Sequence, residues 1–467
     1  MVFYTCEKCN KQFIKKGNFN KHINKKLPCL KFKEIIGVET IVNEKLNEFN
    51  NEDIGVKEKK IFISKDLENT VNATKYKITS IKTKDNLGQY FTTHTELQEK
   101  VCGFILNNPL NILEPCIGQG DLISFITNKI SNITFDMYEI DTKIKLLETI
   151  TKYEKDRIVY CDFMKQTITK TYKTIIGNPP YVRTKKGNLY IDFTEKCYNL
   201  LDYNGELIFI VPSVFLKLTS ASKLLNIMMT NGTFTHIFHP HNEKMFENAS
   251  IDVIVFRYCK NNLIEKKVLY NDKLLYIRNS NGLITFEEEN NNNSIRFQDY
   301  FDIYVGLVSG KEEVYKNEEL GNIEILNGED KIDKYIYIEN FPCENDKINK
   351  HLLHYKKKLI ERGIRKFNEN NWFEFGATRN INNIFKNLGK DCIYIYNLTR
   401  KTNIAFLGKV QYFGGSLIML KPKKICNLKN IISYMNSDKF KDNFMFSGRF
   451  KIGHRSLSNS FIPNDYL

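Results

Sequence analysis

From Ile112 to about Tyr258, short apolar runs alternate with amphipathic windows of helical period, and no other feature limits the fold of this chain as strongly. The runs are Ile112–Leu113, Thr134–Tyr138, Arg157–Val159, Lys173–Ile176, Glu206–Val211 and Ile251–Arg257. Strands that alternate with helices build a parallel sheet covered by those helices, so the expected fold class is α/β. Two of the runs end in turns of unusual composition. Ile112–Leu113 leads through Glu114-Pro115-Cys116-Ile117 into Gly118-Gln119-Gly120-Asp121 and then a helix over Leu122–Lys129. Lys173–Ile176 leads through Gly177 into Asn178-Pro179-Pro180-Tyr181.

The 467 residues suffice for two or three domains. Boundaries are read at 1–33, a compact unit; 34–80, a polar linker; 81–260, the alternating segment; and 261–467, a mixed α+β remainder without a repeat. No run of 18 apolar residues exists, the N-terminus is charged, and the eleven cysteines lack a disulfide framework. These features argue against a transmembrane helix or a secreted scaffold, so the expected setting is intracellular and free of the membrane. A monomer is expected. The net charge of +15 is uneven: residues 1–33 carry +8, residues 351–467 carry +14, and the segment between 34 and 260 is neutral. Basic flanks of this kind suit a polyphosphate partner such as duplex DNA.

Within the first unit, Cys6, Cys9, His22 and Cys29 stand at the spacing Cys-x2-Cys-x12-His-x6-Cys. The first three follow the ββα zinc finger, and Phe13 and Phe19 fall where that finger places its small apolar core. Cys29 departs from the usual histidine, but a thiolate closes a tetrahedral Zn²⁺ site as well as an imidazole does. The expectation is a structural zinc ion. Such a finger, ending Lys-Lys-Leu-Pro-Cys, resembles those of proteins from large DNA viruses.

Three successive strand ends carry residues that an adenosine ligand requires. The Gly118–Gly120 turn lets backbone approach a ligand above a helix N-terminus. Glu139, nineteen residues after Gly120, suits ribose hydroxyls. Asp162 can accept from an adenine amino group, and Phe163 can pack on its ring. The Gly-x-Gly-x-x-Gly pattern of dinucleotide enzymes and the phosphate-binding Gly-x4-Gly-Lys-Ser/Thr loop are both absent from the sequence. NAD and P-loop chemistry are therefore disfavoured.

Asn178-Pro179-Pro180-Tyr181 matches the catalytic loop of enzymes that methylate a planar amino nitrogen. The lone pair of such an amine is delocalised into its ring, which makes it a poor nucleophile. Two fixed acceptors, the Asn178 side-chain oxygen and the Pro179 carbonyl, can hold both N–H groups and turn the lone pair out of plane. The prolines stiffen the loop, and Tyr181 offers a face for stacking.

Taken in order, these segments resemble the gamma-class, TaqI-like N6-adenine DNA methyltransferases. Gly88-Gln89-Tyr90-Phe91-Thr92-Thr93 resembles that family's segment over S-adenosylmethionine, with Thr93 in place of its proline. Glu114–Gly120 resembles its Glu-Pro-x-x-Gly-x-Gly turn, and Phe246-Glu247-Asn248-Ala249 its Phe-x-x-Ala segment. The resemblance implies a Rossmann-like class I methyltransferase sheet over 81–260 and a target-recognition domain over 261–467. It implies cofactor contacts from Tyr90, Thr92, Thr93, Glu114, Cys116, Gly118, Gly120, Glu139, Ile140, Asp162, Phe163 and Asn178. It implies catalytic roles for Asn178, Pro179, Pro180, Tyr181 and Phe246, the last two aromatics sandwiching a flipped adenine. Asn178→Ala is then expected to abolish transfer while sparing S-adenosylmethionine binding.

The same loop serves methyltransferases that act on RNA or on a protein glutamine, and a DNA-binding protein with a dead site is a further alternative. Any cognate restriction endonuclease is expected to be a separate chain. Trp372, the only tryptophan, reads as a core residue.

Overall fold

The structure is a computed structural model, and it describes residues 88–467 apart from 185–186, 248, 264–265 and 291–292, together with residues 4–5 and 12–13. The chain divides into two units, Met1–Ile81 and Lys82–Leu467. In the first, β1 (Tyr4–Thr5) pairs antiparallel with β2 (Gln12–Phe13), placing Tyr4 opposite Phe13. Cys6, Cys9, His22 and Cys29 lie outside the described residues.

The second unit is organised by one mixed sheet of ten strands. Its first members are β3 (Asn111–Glu114), β4 (Thr134–Glu139), β5 (Ile158–Tyr160) and β6 (Tyr172–Gly177). A small hairpin, β7 (Arg183–Thr184) with β8 (Gly187–Asn188), follows the Asn-Pro-Pro-Tyr loop. The large sheet resumes with β9 (Leu201–Pro212), β10 (Gly232–Phe238) and β11 (Val253–Lys260). β5, β4, β3, β6 and β9 lie side by side and parallel. β11 then runs antiparallel between β9 and β10. The helices are α1 (Thr95–Gly103), α2 (Asp121–Thr127), α3 (Lys152–Lys155), α4 (Leu189–Asn199) and α5 (Ser222–Thr230).

Side chains on a strand alternate between faces, and here the alternation sorts two cores. Ile112, Ile176, Ile208, Ile210, Val253 and Val255 pack with α1 and α2 on one face. Their neighbours Leu113, Ile175, Leu207, Phe209, Ile254 and Phe256 pack with α4 and α5 on the other. Strands buried on both faces need continuous apolar runs, which is why Leu207 to Val211 is apolar at every position and fully buried.

The sheet continues past residue 260, the expected boundary. β12 (Lys267–Tyr270) pairs parallel to β10, and β13 (Lys273–Ser280) and β14 (Leu283–Glu287) extend it as a meander. Beyond it, β15 (Ser294–Arg296) pairs with β25 (Phe461–Pro463). β16 (Phe301–Val305), β22 (Leu417–Pro422), β19 (Asp391–Tyr396) and β21 (Ala405–Lys409) form a four-stranded antiparallel sheet. Two smaller assemblies complete the part: β17 (Ile323–Gly328) with β18 (Lys331–Tyr335), and β20 (Leu398–Thr399) with β24 (Arg449–Lys451) and β23 (Met445–Phe446). Trp372 is 2 % exposed and belongs to a core here, as the sequence suggests. Among the described residues no helix is long and apolar enough to cross a membrane.

Candidate active site

From β3 the chain steps outward through β4 to β5, then returns to lay β6 on the other side of β3. The two crossovers leave in opposite directions, and such a switch point opens a crevice at the carboxyl ends of the strands. Both turns singled out by sequence emerge there, Glu114–Gly120 from β3 and Asn178–Tyr181 from β6.

Gly118 (φ +60°) and Gly120 (φ +93°) are left-handed, a region that side chains resist. A Cβ on Gly120 would also stand 2.7 Å from Ile150 Cδ1. The turn brings the Gly118 N–H onto Glu139 Oε2 at 2.9 Å, and Asp141 donates its N–H to Glu139 Oε1 at 2.8 Å. The ends of β3 and β4 are thereby tied through one buried carboxylate, whose pKa burial raises.

Glu114 is 2 % exposed. Its Oε1 accepts from the Cys116 N–H at 3.3 Å, and its Oε2 has no partner among the described residues. Burial pushes this carboxyl up to about 8, against the opposing pull of the Cys116 contacts. A buried carboxyl with an idle oxygen is costly until a donor or cation meets it. The ammonium group of an amino-acid moiety is such a partner.

Asn178 is the meeting point of the site. Its Nδ2 donates to the Tyr90 carbonyl at 2.7 Å and to Thr92 Oγ1 at 3.1 Å, while its Oδ1 accepts from the Tyr181 hydroxyl at 2.7 Å. The Asn178 carbonyl lies 3.5 Å from Cys116 Sγ. Thr92 is buried and its carbonyl accepts from Gln98 Nε2 at 2.7 Å, and Asp121, at the start of α2, is buried as well. Thr93 is exposed, so of the two hydroxyls only that of Thr92 touches the loop. Gln98 and Asp121 were not singled out by sequence; their only signal is their position in the first turns of α1 and α2. The double donation from Asn178 ties the loop to residues 90–92, a link that its sequence does not reveal.

Three rings close over the loop. Tyr90 stacks on Tyr181 with centroids 5.3 Å apart and planes 28° apart. Phe246 stands 5.7 Å from Tyr90 and meets Tyr181 edge-on, at 6.2 Å and 72°. Tyr181 and Phe246 therefore do not present parallel faces with a slot between them; the rings bury one another. Phe163 also differs from expectation. It is 3 % exposed, packed between Tyr138 and Phe193 at 5.2 and 5.5 Å, with Lys196 Nζ 4.5 Å from its centroid. It is a core ring. Asp162 caps the turn that Phe163 begins, accepting from the Met164 N–H at 3.1 Å and pairing with Lys165 at 3.0 Å. Ile140 is 54 % exposed beside Glu139. Pro179 is buried and Pro180 half-buried.

A family model described as Eco57I restriction-modification methylase matches residues 39–246. The matched segment runs through every residue of the site, from Gly88 to Phe246. Type II methyltransferase M.HincII of Haemophilus influenzae is 32 % identical over 206 residues, which make up 39 % of this chain and 39 % of that protein. Ribosomal RNA small subunit methyltransferase A of Mesomycoplasma hyopneumoniae is 36 % identical over 105 residues, 22 % of this chain and 40 % of that one. The chain thus spans about two fifths of the length of these curated relatives. In fold, it is similar to the Type IIL restriction-modification enzyme MmeI, whose structure was solved in complex with DNA. That likeness covers 82 % of this chain and 69 % of MmeI at 10 % identity, with a TM-score of 0.55. The relatives matched in sequence are methyltransferases, and the MmeI likeness extends the fold comparison past the large sheet into the C-terminal part.

Proposed function

We propose that the chain moves a methyl group from S-adenosylmethionine to N6 of an adenine flipped out of duplex DNA. The observation that carries this reading is the position of Asn178, which bonds the 90–92 segment and abuts the glycine turn at Cys116. The fit of the cofactor rests on Glu114 Oε2, a buried carboxyl oxygen without a partner among the described residues, which suits its ammonium group. Glu139 and Ile140 suit its ribose and adenine. When bound, S-adenosylmethionine supplies an electrophilic methyl group. The chain's own residues prepare the amine: Asn178 Oδ1 and the Pro179 carbonyl accept its two hydrogens, and Tyr181 and Phe246 separate to hold the ring. Positioning of this kind carries the rate without a dedicated base. Zn²⁺ held by Cys6, Cys9, His22 and Cys29 belongs to the same proposal.

DNA is favoured as the acceptor by the name of M.HincII as a Type II methyltransferase and by the DNA complex of MmeI. RNA is the second reading, favoured by the match to a ribosomal RNA methyltransferase. Labelled S-adenosylmethionine offered with duplex DNA, RNA and protein separates these acceptors, and nucleoside digestion of the product identifies the base. Label in N6-methyladenosine from RNA alone would overturn the DNA reading.

A further inference from the structure

Phe246 rides on the connection between β10 and β11, residues 239–252, and the two feet of that connection are bonded to each other. His239, directly after β10, places Nε2 2.9 Å from Oδ1 of Asp252, directly before β11. Both residues are buried, at 4 % and 1 % exposure. The interior of the connection has its own ties. The Ile251 N–H donates to the Glu243 carbonyl at 2.9 Å, Ser250 Oγ donates to the Glu243 carboxylate at 2.6 Å, and a bridge joins Phe246 to Ala249.

The pair is held from both sides. Ser213, directly after β9, donates its hydroxyl to Asp252 Oδ2 at 2.5 Å and its N–H to the Asp252 carbonyl at 2.9 Å. The Tyr270 hydroxyl, at the end of β12, lies 2.8 Å from His239 Nδ1. Asn271 completes the frame with its side-chain amide, accepting the His239 N–H and donating to the His239 carbonyl, both at 2.7 Å. β12, β10, β11 and β9 are neighbours in the sheet, so one row of contacts, Tyr270–His239–Asp252–Ser213, crosses four strand ends. β9 is parallel to β6, which puts this row at the end of the sheet where Asn178–Tyr181 also emerges. One strand thereby serves both rings of the proposed base pocket. The Ile210 carbonyl of β9 accepts from the Tyr181 hydroxyl at 3.1 Å, and farther along Ser213 fixes a foot of the Phe246 connection.

A serine, an aspartate and a histidine in contact would serve hydrolysis only in another order. A nucleophilic serine needs the histidine beside its hydroxyl; here the carboxylate stands between them, and Ser213 is committed to Asp252 as a donor. Burial opposes ionisation of Asp252, yet the His239 contact and the Ser213 hydroxyl outweigh it and hold its carboxyl below the usual carboxylate range. An ionised carboxylate bonded on both oxygens makes a strong junction. Firm feet are what a connection needs when the ring it carries must leave Tyr181 and return.

We propose that His239 and Asp252 are positioning residues of the acceptor site: by joining the feet of the 239–252 connection to each other and to β9, they set the place to which Phe246 returns when its ring closes on a base. This rests on the reading of Phe246 as a base-stacking residue. The outer partners of the pair, Ser213 and Tyr270, lie outside the proposed cofactor contacts, so the effect belongs to the acceptor side.

His239→Ala opens the clasp. It is expected to lower kcat on duplex DNA about tenfold, the cost of a loosely held group, with the KM for S-adenosylmethionine unchanged. Counting kcat per molecule of S-adenosylmethionine bound keeps unfolded chains out of the measurement. His239→Gln, which can return a donor to Asp252, is expected to recover most of the loss. Duplex DNA carrying 2-aminopurine in place of the target adenine gives a second readout. A ring stacked on the flipped base quenches its fluorescence, so the complex with His239→Ala should be brighter than that with the wild type. If His239→Ala does not fold, Asp252→Asn takes its place: it keeps the shape, removes the charge that strengthens both bonds, and should lower kcat about threefold. A wild-type chain that transfers no methyl group to DNA overturns the reading beneath this proposal. An active wild type whose variant keeps both its kcat and its 2-aminopurine signal overturns the clasp alone.

Discussion

The Tyr181 hydroxyl donates to Asn178 Oδ1 at 2.7 Å, occupying the acceptor that the proposed chemistry assigns to the substrate amine. An entering base must displace that hydroxyl, which has the Ile210 carbonyl in reach at 3.1 Å as a second acceptor. Tyr181→Phe frees Oδ1 and keeps the stacking face. A neutral hydrogen bond is worth about 0.5–1.5 kcal/mol net, so the KM for DNA should fall roughly two- to tenfold. Steady-state methylation measures it, and a tenfold rise in KM would show that the hydroxyl helps to bind the base.

Asn178→Ala removes the amine acceptor and also the two bonds that hold residues 90–92. Methyl transfer should be lost, and S-adenosylmethionine affinity should weaken by about tenfold, since two hydrogen bonds of ordinary strength are broken. Calorimetry measures the affinity. An unchanged value would mean that the 90–92 segment is held without Asn178.

The α/β class was legible because strands buried on both faces need continuous apolar runs, and Ile175–Ile176 and Leu207–Val211 supply them. β10 was missed because Gly-Thr-Phe-Thr-His-Ile-Phe mixes polar residues into a strand whose order in the sheet only tertiary pairing decides. Glu114, Gly118, Glu139 and Asn178 converge because each sits at a strand end, which spacing can reveal. The ring cluster could not be read this way. Tyr90 lies 91 residues before Tyr181 in chain position, and nothing local says that its ring will stack there. Phe163 shows the converse: its place after a strand end suited a ligand ring, but α4 behind it supplies Phe193 and Lys196 to bury it.

Asn443 pairs its side-chain amide with both backbone groups of Phe286, accepting the N–H at 2.7 Å and donating to the carbonyl at 2.9 Å. β14 is the edge of the ten-stranded sheet, and an unpaired edge exposes donors and acceptors to other chains. Asn443→Ala should cost about 1–3 kcal/mol, the penalty for orphaned backbone groups, and should raise the tendency to aggregate. Denaturant unfolding and light scattering test both, and an unaltered midpoint would show that water replaces the amide without loss.

The expected finger predicts one zinc ion per chain. β1 and β2 pair across the segment containing Cys6 and Cys9, as a ββα finger requires. Elemental analysis of the purified chain should find zinc near one equivalent, lost in Cys29→Ala and retained in Cys29→His, because imidazole can close the same tetrahedron. Wild-type protein without zinc after purification in zinc-containing medium would rule the ion out.

Glu114 sets a pH dependence with a definite sign. Its carboxyl is raised by burial from 4.5 to about 8 in the folded chain. Between those values the folded state holds a proton that the unfolded state has released. Stability should therefore fall as pH climbs through that window, by roughly 1.4 kcal/mol per unit for a single group. Glu114→Gln carries no such proton, so its Tm should lose less than the wild type's between pH 5 and about 8. The same variant should bind S-adenosylmethionine more weakly, because the carboxylate proposed to meet the ammonium group is gone. Parallel Tm curves for the two proteins would mean that Glu114 releases its proton over the same range in the folded and the unfolded chain, so that burial does not raise its carboxyl.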